Sequence, residues 1–271
     1  MGGGAVSNDD RFLRGLSAEG PWQRFLDAWD AEPDAIRRID LATAFAAEQG
    51  RLLPRETGEL LLRVLVLARE TEYRLGQAHI LANLGWNRLD ADQYQSARSY
   101  LIEGLELARE LKDSATLLRC LNGLGACYTD MGLFERAITH YREALEEADR
   151  SRLIEHHGLI LTNLARCHID LGQYEAARQC LEQVVETSES LPLNRAIRLH
   201  RLATTYRHLG RLDEAQSLLD DALLLAEPYP SLVVQCSVEA AWVRHLGGQD
   251  REAEDLLRPL LEAPGTDSRG R

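Results

Sequence analysis

Three carboxylates recur at one interval: Asp90, Asp130 and Asp170 stand 40 residues apart. Side-chain amides keep the same beat at Asn83 and Asn163, with Asn122 one place out of register. A carboxylate can hold a basic side chain of a partner. An amide both donates and accepts, so it can stand in for a neighbouring strand against an extended peptide. Trp86 and Trp242 offer aromatic anchors, and Arg119, Arg166 and Arg207 offer positive charge. Each group also has a structural reading. An aspartate in the last turn of a helix opposes the macrodipole at a cost of a few tenths of a kcal/mol, and it can simply solvate the helix end or pair with an arginine of the next segment. The amides can bond neighbouring helices, and the tryptophans can pack, Trp242 most of all between Val238 and Leu246.

This is chemistry for binding, and nothing in the chain adds a reaction to it. No glycine-rich phosphate loop follows a strand, and neither HExxH nor GxSxG occurs. Lys112 is the single lysine, which nearly excludes phosphate-loop and Ser-x-x-Lys chemistry. Adjacent His156 and His157 cannot face one metal on a helix. His168 stands where Tyr128 stands one unit earlier, and reads as a packed, hydrogen-bonded interior group. The five cysteines form no CxxC pair and read as reduced, buried thiols. The expectation is a protein that is not an enzyme, with no metal and no cofactor.

The binding residues need elements to position them. From Leu121 to Ala148, two amphipathic helical patterns meet at Asp130-Met131-Gly132. Small residues (Gly125, Ala137, Ala144) mark where two helices must touch, and large ones (Leu121, Leu124, Tyr128, Phe134, Tyr141, Leu145) flank them. The pattern repeats. Leu124-Gly125 is matched by Leu84-Gly85, Leu164-Ala165, Leu202-Ala203 and Ala240-Ala241, at successive spacings of 40, 40, 38 and 38 residues. Seven residues after each small residue comes a turn slot (Asp92, Gly132, Gly172, Gly210, Gly248), and five further on an alanine (Ala97, Ala137, Ala177, Ala215, Ala253). One such hairpin cannot bury its apolar stripe alone, so neighbours must stack. A period in this range predicts an all-α solenoid of helix hairpins.

The slots Leu124-Gly125, Tyr128, Gly132, Phe134, Ala137, Tyr141 and Ala144 resemble the signature of the tetratricopeptide repeat. Five units over residues 75–262 carry the resemblance. The usual family period is about 34 residues, so this chain resembles a long-period variant, similar to the repeats of kinesin light chain and of bacterial regulators. The resemblance implies a right-handed superhelix, a protein-binding role, and an inner, concave face lined by the first helix of each hairpin. On that face it places Trp86, Asp90, Arg119, Asn122, Asp130, Arg166, Asp170 and Arg207, with His79, His200 and Trp242 beside them. In long-period relatives, asparagines at the slot of Asn83 and Asn163 resemble those that bond the backbone of a bound peptide. The lysine-rich clamp of chaperone-tail-binding relatives has no counterpart here.

Around the five units, residues 1–9 and 263–271 read as disordered and residues 10–32 as a cap helix bearing Phe12, Leu13, Leu16, Trp22, Phe25 and Trp29. Residues 33–74 read as a degenerate first hairpin with helices from Ala35 to Glu48 and from Pro54. Pro259 is expected to kink or end the last helix. Net charge is −12 and pI about 5.2, which argues against nucleic acid and against anionic membranes. No secretory segment or run of 18 apolar residues is present, and a cytoplasmic protein is expected. With one lysine, 30 arginines and abundant alanine and leucine, the composition points to a GC-rich bacterial genome.

The expected function is a non-catalytic scaffold that grips a peptide or helix of another protein, a basic segment being one that fits the carboxylates. Two further readings stay open. One is a sensory or regulatory module of a signalling protein of the diguanylate cyclase or transcription-regulator type. The other is self-assembly, as a homodimer through the end after Glu262.

Overall fold

The computed structural model describes residues 20–50, 52–153, 156–185 and 191–262. The expected disordered ends, and Phe12, Leu13 and Leu16 of the cap segment, lie outside the described residues. The chain forms two units, Met1–Ser151 and Arg152–Arg271, and every described element is helical. The first unit holds α1 (Pro21–Ala31), α2 (Ala35–Gln49), α3 (Pro54–Glu70), α4 (Arg74–Asp90), α5 (Tyr94–Leu111), α6 (Ser114–Asp130) and α7 (Phe134–Ser151). The second holds α8 (His157–Asp170), α9 (Tyr174–Val185), α10 (Pro192–His208), α11 (Leu212–Ala226), α12 (Pro230–Leu246) and α13 (Asp250–Glu262). Each unit is a stack of three antiparallel hairpins, and α1 adds a cap to the first. This is the all-α, stacked-hairpin architecture that the repeat predicts.

Local chemistry sets the helix limits. Pro54, Pro192 and Pro230 open their helices, where a missing N–H costs nothing and the fixed φ is already helical. Asp34 caps α2 by accepting the Arg37 amide at 2.9 Å. The turn slots all adopt left-handed backbone, with φ of 56° at Asp92, 72° at Gly132, 70° at Gly172 and 77° at both Gly210 and Gly248. At each, the next amide reaches back five residues: Leu133 to the Tyr128 carbonyl at 2.8 Å, Gln173 to His168 at 2.7 Å and Arg211 to Tyr206 at 2.9 Å. This is a Schellman closure, which satisfies carbonyls that the helix end would otherwise orphan. A second left-handed series, Glu72, Lys112 and Arg152, carries no glycine and escapes the sequence pattern. Helix α13 runs through Pro259 to Glu262 rather than ending there. The proline ring's φ is compatible with helix, and only one amide donor is lost so near the terminus.

The small residues are contact points. A Cβ on Gly85 would collide with Leu101, and one on Gly125 would collide with the ring of Tyr141. Ala97, Ala137, Ala177 and Ala215 are fully buried. Helix α1 covers the first hairpin with Trp22, Phe25 and Trp29, all buried. Phe45 stacks on Phe25 at 4.5 Å and meets the edge of Trp22 at 4.7 Å. Cys120, Cys127, Cys167 and Cys236 are interior. Burial pushes the Cys120 thiol up to about 12 and the Cys236 thiol up to about 11, so neither forms a thiolate near neutral pH.

Candidate functional site

In the first unit the recurrent polar groups are drawn into contacts between helices. Asn83 on α4 is only 4% exposed and donates Nδ2 to the Thr43 carbonyl of α2 at 3.3 Å. Its Oδ1 is buried and meets no donor of the protein. One turn on, Asn87 donates to the Pro54 carbonyl at 2.6 Å. Trp86 is half-buried and its indole N–H donates to the Arg119 carbonyl of α6 at 3.2 Å. The His79 imidazole lies 3.0 Å from the Asp113 carboxylate at the start of α6. Asn122 is buried, whereas Arg119, Asp90 and Asp130 are exposed. Asp90, Asp130 and Asp170 are the final residues of α4, α6 and α8, so the carboxylate series marks equivalent helix ends.

The second unit is arranged differently. A cavity of about 450 Å³ opens between its first helices, α8, α10 and α12. Arg166, His200 and Arg201 line it with cationic or titratable nitrogen, and Ile169, Leu193, Ile197 and Leu232 line it with aliphatic carbon. Thr204, Tyr229, Ser231 and Gln235 add hydroxyls and an amide. Arg201 donates to the Thr162 carbonyl at 2.7 Å, which fixes its guanidinium against α8. Arg166 lies 3.9 Å from Asp170 one turn along α8, with both side chains well exposed. Burial holds the His200 imidazole below its ordinary pKa. The nearby Glu239 charge and a hydrogen bond with the Gln235 backbone oppose this, and Arg201 reinforces it.

Of the residues singled out in the sequence, Arg166 and His200 line the cavity. Asp170 stands beside Arg166, and Asn163 is half-buried on the same helix. Arg207 is committed elsewhere: its Nε donates to Glu239 of α12 at 2.6 Å, with both side chains largely buried. Arg201 is the residue that sequence reasoning passed over. It occupies the slot two before the small residue, where Asn83 and Asn163 stand in their units, so the register contained the signal. His168 is buried and bonds Gln173 Oε1 through Nδ1 at 2.7 Å, an interior, hydrogen-bonded position.

Helix α12 carries an exposed apolar strip. Val238 is 40%, Trp242 53% and Leu246 51% exposed. Helical spacing puts these three on the same face as the cavity residues Ser231 and Gln235. Among the described residues no group of three or more His, Cys, Asp or Glu side chains is placed to hold a metal. No described helix is long and apolar enough to cross a membrane.

Comparison with known proteins agrees with this architecture. Tetratricopeptide repeat profiles match residues 113–190 and 195–227. Regulatory protein RapG of Bacillus subtilis (strain 168) is 27% identical over 89 residues, which cover 33% of this chain and only 24% of RapG. The crystal structure of a putative kinesin light chain with nearly identical repeats, from Podosopora anserina, superposes with a TM-score of 0.56 at 21% identity, covering 73% of this chain and 99% of that one. The structure of NprR in complex with its cognate peptide NprX gives a TM-score of 0.62 at 17% identity, covering 93% of this chain and 70% of that one. The repeat signature, the stacked hairpins and the matched profiles converge: residues 113–190 and 195–227 carry tetratricopeptide repeats, and the fold is that of a tetratricopeptide-repeat solenoid.

Proposed function

We propose that this chain is a non-catalytic, cytoplasmic protein-interaction module that binds a peptide or helix of a partner along the first helices of its second unit. The observation that carries the reading is the strip of Val238, Trp242 and Leu246. Large apolar groups exposed together on one helical face are what a partner polypeptide buries, and tryptophan is the residue type that most often dominates such contacts. Arg166 and Asp170, at the edge of the cavity, supply polar contacts at its rim. In the first unit the exposed Arg119, Asp90 and Asp130 form a secondary polar surface, and the buried Asn83 and Asn122 act as supports for it. The net charge of −12 speaks for a protein partner over nucleic acid or an anionic membrane.

The relatives support a regulatory setting for this binding. RapG is a regulatory protein, and NprR has been solved with a peptide bound. A sensory module acting on a signalling domain is therefore the second reading. Association of two copies through the α12–α13 end is the third.

The test is a photo-crosslinking amino acid placed at position 242, with position 66 on α3 as control; Val66 is also about half exposed. In extract of the native host, one partner should be trapped at 242 and not at 66, and the cross-linked peptide should map to one segment of it. Equal capture at both positions, or none at 242, would sink the reading. Trapping of this same chain would replace it by self-association.

A further inference from the structure

The apolar strip of α12 reaches back one more turn, to Val234, so large exposed groups run the length of the helix at Val234, Val238, Trp242 and Leu246. Leu261 of α13 is also exposed, at 75%. The same slots are closed in other repeats. Seven before the small residue, Ala78 of α4 and Ala196 of α10 are fully buried. Three before it, Ala82 of α4 and Thr162 of α8 are buried. Leu105 of α5, in the slot of Leu261, is only 5% exposed. The first helix of the following hairpin closes them. Helix α6 lies against both α4 and α5, α10 against both α8 and α9, and α12 against both α10 and α11. No described helix follows α13, and residues 263–271 hold no leucine, isoleucine, valine, methionine or aromatic residue with which to cover the strip. The interior repeats also show what fits. Helix α6 meets α4 and α5 with small side chains: Cys120 faces Gly104, Gly123 faces Leu101 and Trp86, and Cys127 donates to the Tyr94 carbonyl at 3.3 Å. Charges beside the strip are matched within the chain: Glu239 by Arg207 at 2.6 Å, His245 by Asp250 at 2.7 Å, and Arg244 by Asp220 and Glu252 at 3.5 and 3.8 Å.

We propose that the α12–α13 face docks an α-helix of the partner protein, seated where the first helix of a further hairpin would lie, with small uncharged side chains at successive turns against Trp242 and Leu261. The proposal rests on the reading of α12 as a binding face, and it adds the form of the ligand. The five exposed side chains offer one polar atom between them, the Trp242 indole N–H. An extended segment laid on them would press its backbone N–H and C=O groups against carbon, whereas a helix satisfies its own. Each repeat of a stack is completed by its neighbour, and the matched charges leave no call for a charged ligand. Trp242 then donates to a carbonyl of the docked helix, as Trp86 does to Arg119.

The test uses the full chain in two measurements. In the first, a fluorescein-labelled peptide with the sequence of residues 113–130, the helix that covers Trp86, is titrated under reducing conditions and followed by anisotropy. It should bind saturably. The same peptide carrying Asn122→Pro, which cannot complete a helix, should bind at least tenfold more weakly. Trp242→Ala and Val234→Glu in the protein should each weaken the unmodified peptide at least tenfold, with circular dichroism confirming the fold of both variants. Equal binding of the two peptides, no saturable binding, or binding indifferent to both variants overturns the proposal. In the second, a photo-crosslinker is placed at 234 and at 246 in extract of the native host. These positions lie about 18 Å apart along α12, a span of about 12 residues of helix at 1.5 Å each but only about five of an extended strand. Sites trapped about 12 residues apart in the partner support a helix, and sites about five apart overturn it. Trapping of a second copy of this chain overturns the partner helix in favour of self-association. Capture at 242 without the helical spacing overturns the form of the ligand alone. Helix-dependent peptide binding with no partner captured at 242 overturns the protein-partner reading alone.

Discussion

Trp86 and Trp242 occupy the same slot of the repeat, one residue after the small residue of α4 and of α12, and they have opposite fates. Trp86 is half-buried, bonded through its indole to the Arg119 carbonyl, and it lies close to Gly123 of α6. Trp242 is 53% exposed, and among the described residues no hairpin follows α13 to cover it. In a stacked array the role of a slot is set by what the next repeat places against it. The difference extends along the first helices. The first unit has glycine at Gly85, Gly123 and Gly125, where a side chain would strike Leu101 or Tyr141. The second unit has Ala165 and Ala203 in the slot of Gly85 and Gly125, and Asn163 and Arg201 in the slot of Gly123. In the first unit the glycines let Leu101 of α5 and Tyr141 of α7 close directly onto the first helices.

The comparison can be broken by overfilling the tight unit. Gly125→Leu drives a branched side chain into the Tyr141 ring and should cost about 3 kcal/mol or more, since an overpacked core can relieve the clash only by shifting backbone or distorting rotamers. Urea unfolding measures it, and a loss under about 1 kcal/mol would show that the first unit is not closely packed at its glycines. The two tryptophans give a sharper contrast. Trp86→Ala removes a half-buried ring and its hydrogen bond and should destabilise by about 2 kcal/mol, whereas Trp242→Ala should stay within about 0.5 kcal/mol while abolishing partner capture. Equal costs in thermal melts would contradict the assignment of Trp86 to packing and Trp242 to binding.

A smaller effect tests the turns. Lys112 holds left-handed backbone at φ 58°, a conformation that costs a side-chain-bearing residue roughly 1 kcal/mol and glycine nothing. Lys112→Gly should therefore stabilise the first unit by about 0.5 kcal/mol, after the entropy glycine adds to the unfolded chain; destabilisation would mean the lysine side chain makes contacts that matter. The smallest effect is the response to acid. Burial holds the imidazoles of His140 in the first unit and His200 in the second below their ordinary value. The unfolded chain, with histidine pKa about 6.5, then binds more protons than the folded one, so stability rises with pH in that window and is lost as pH falls through about 6.5. Denaturant midpoints at pH 7.5 and 5.5 should differ in that direction, and His200→Gln should reduce the difference; an unchanged or reversed slope would show that these rings are not buried neutral.

The repeat itself was legible because it is overdetermined. Leu-small pairs, turn slots and alanines must all agree in register, and the helix ends at Asp90, Asp130 and Asp170 fall where that register puts them. The left-handed turns at Glu72, Lys112 and Arg152 were not legible, because the backbone adopts that conformation there without the glycine that would announce it. Among candidate binding residues, Arg166 belongs to the cavity. Arg207 is tied to Glu239 because α12 brings a carboxylate to it across a distance in sequence that no local pattern reveals. Arg201 was hidden by a change of residue type within a slot read for asparagine.

The sequence by itself determined the helical hairpins, their period and the small residues at which they meet, because these follow from local periodicity and from the need to bury an apolar stripe. Only the tertiary structure decided which polar groups are consumed by packing and which line open space. Asn83 and Arg166 are both polar residues on first helices, yet one donates to a carbonyl of α2 and the other borders a cavity. The physical reason is the spacing between stacked helices. It depends on the joint volume of side chains from segments nearly 40 residues apart, and no single stretch of sequence contains that sum.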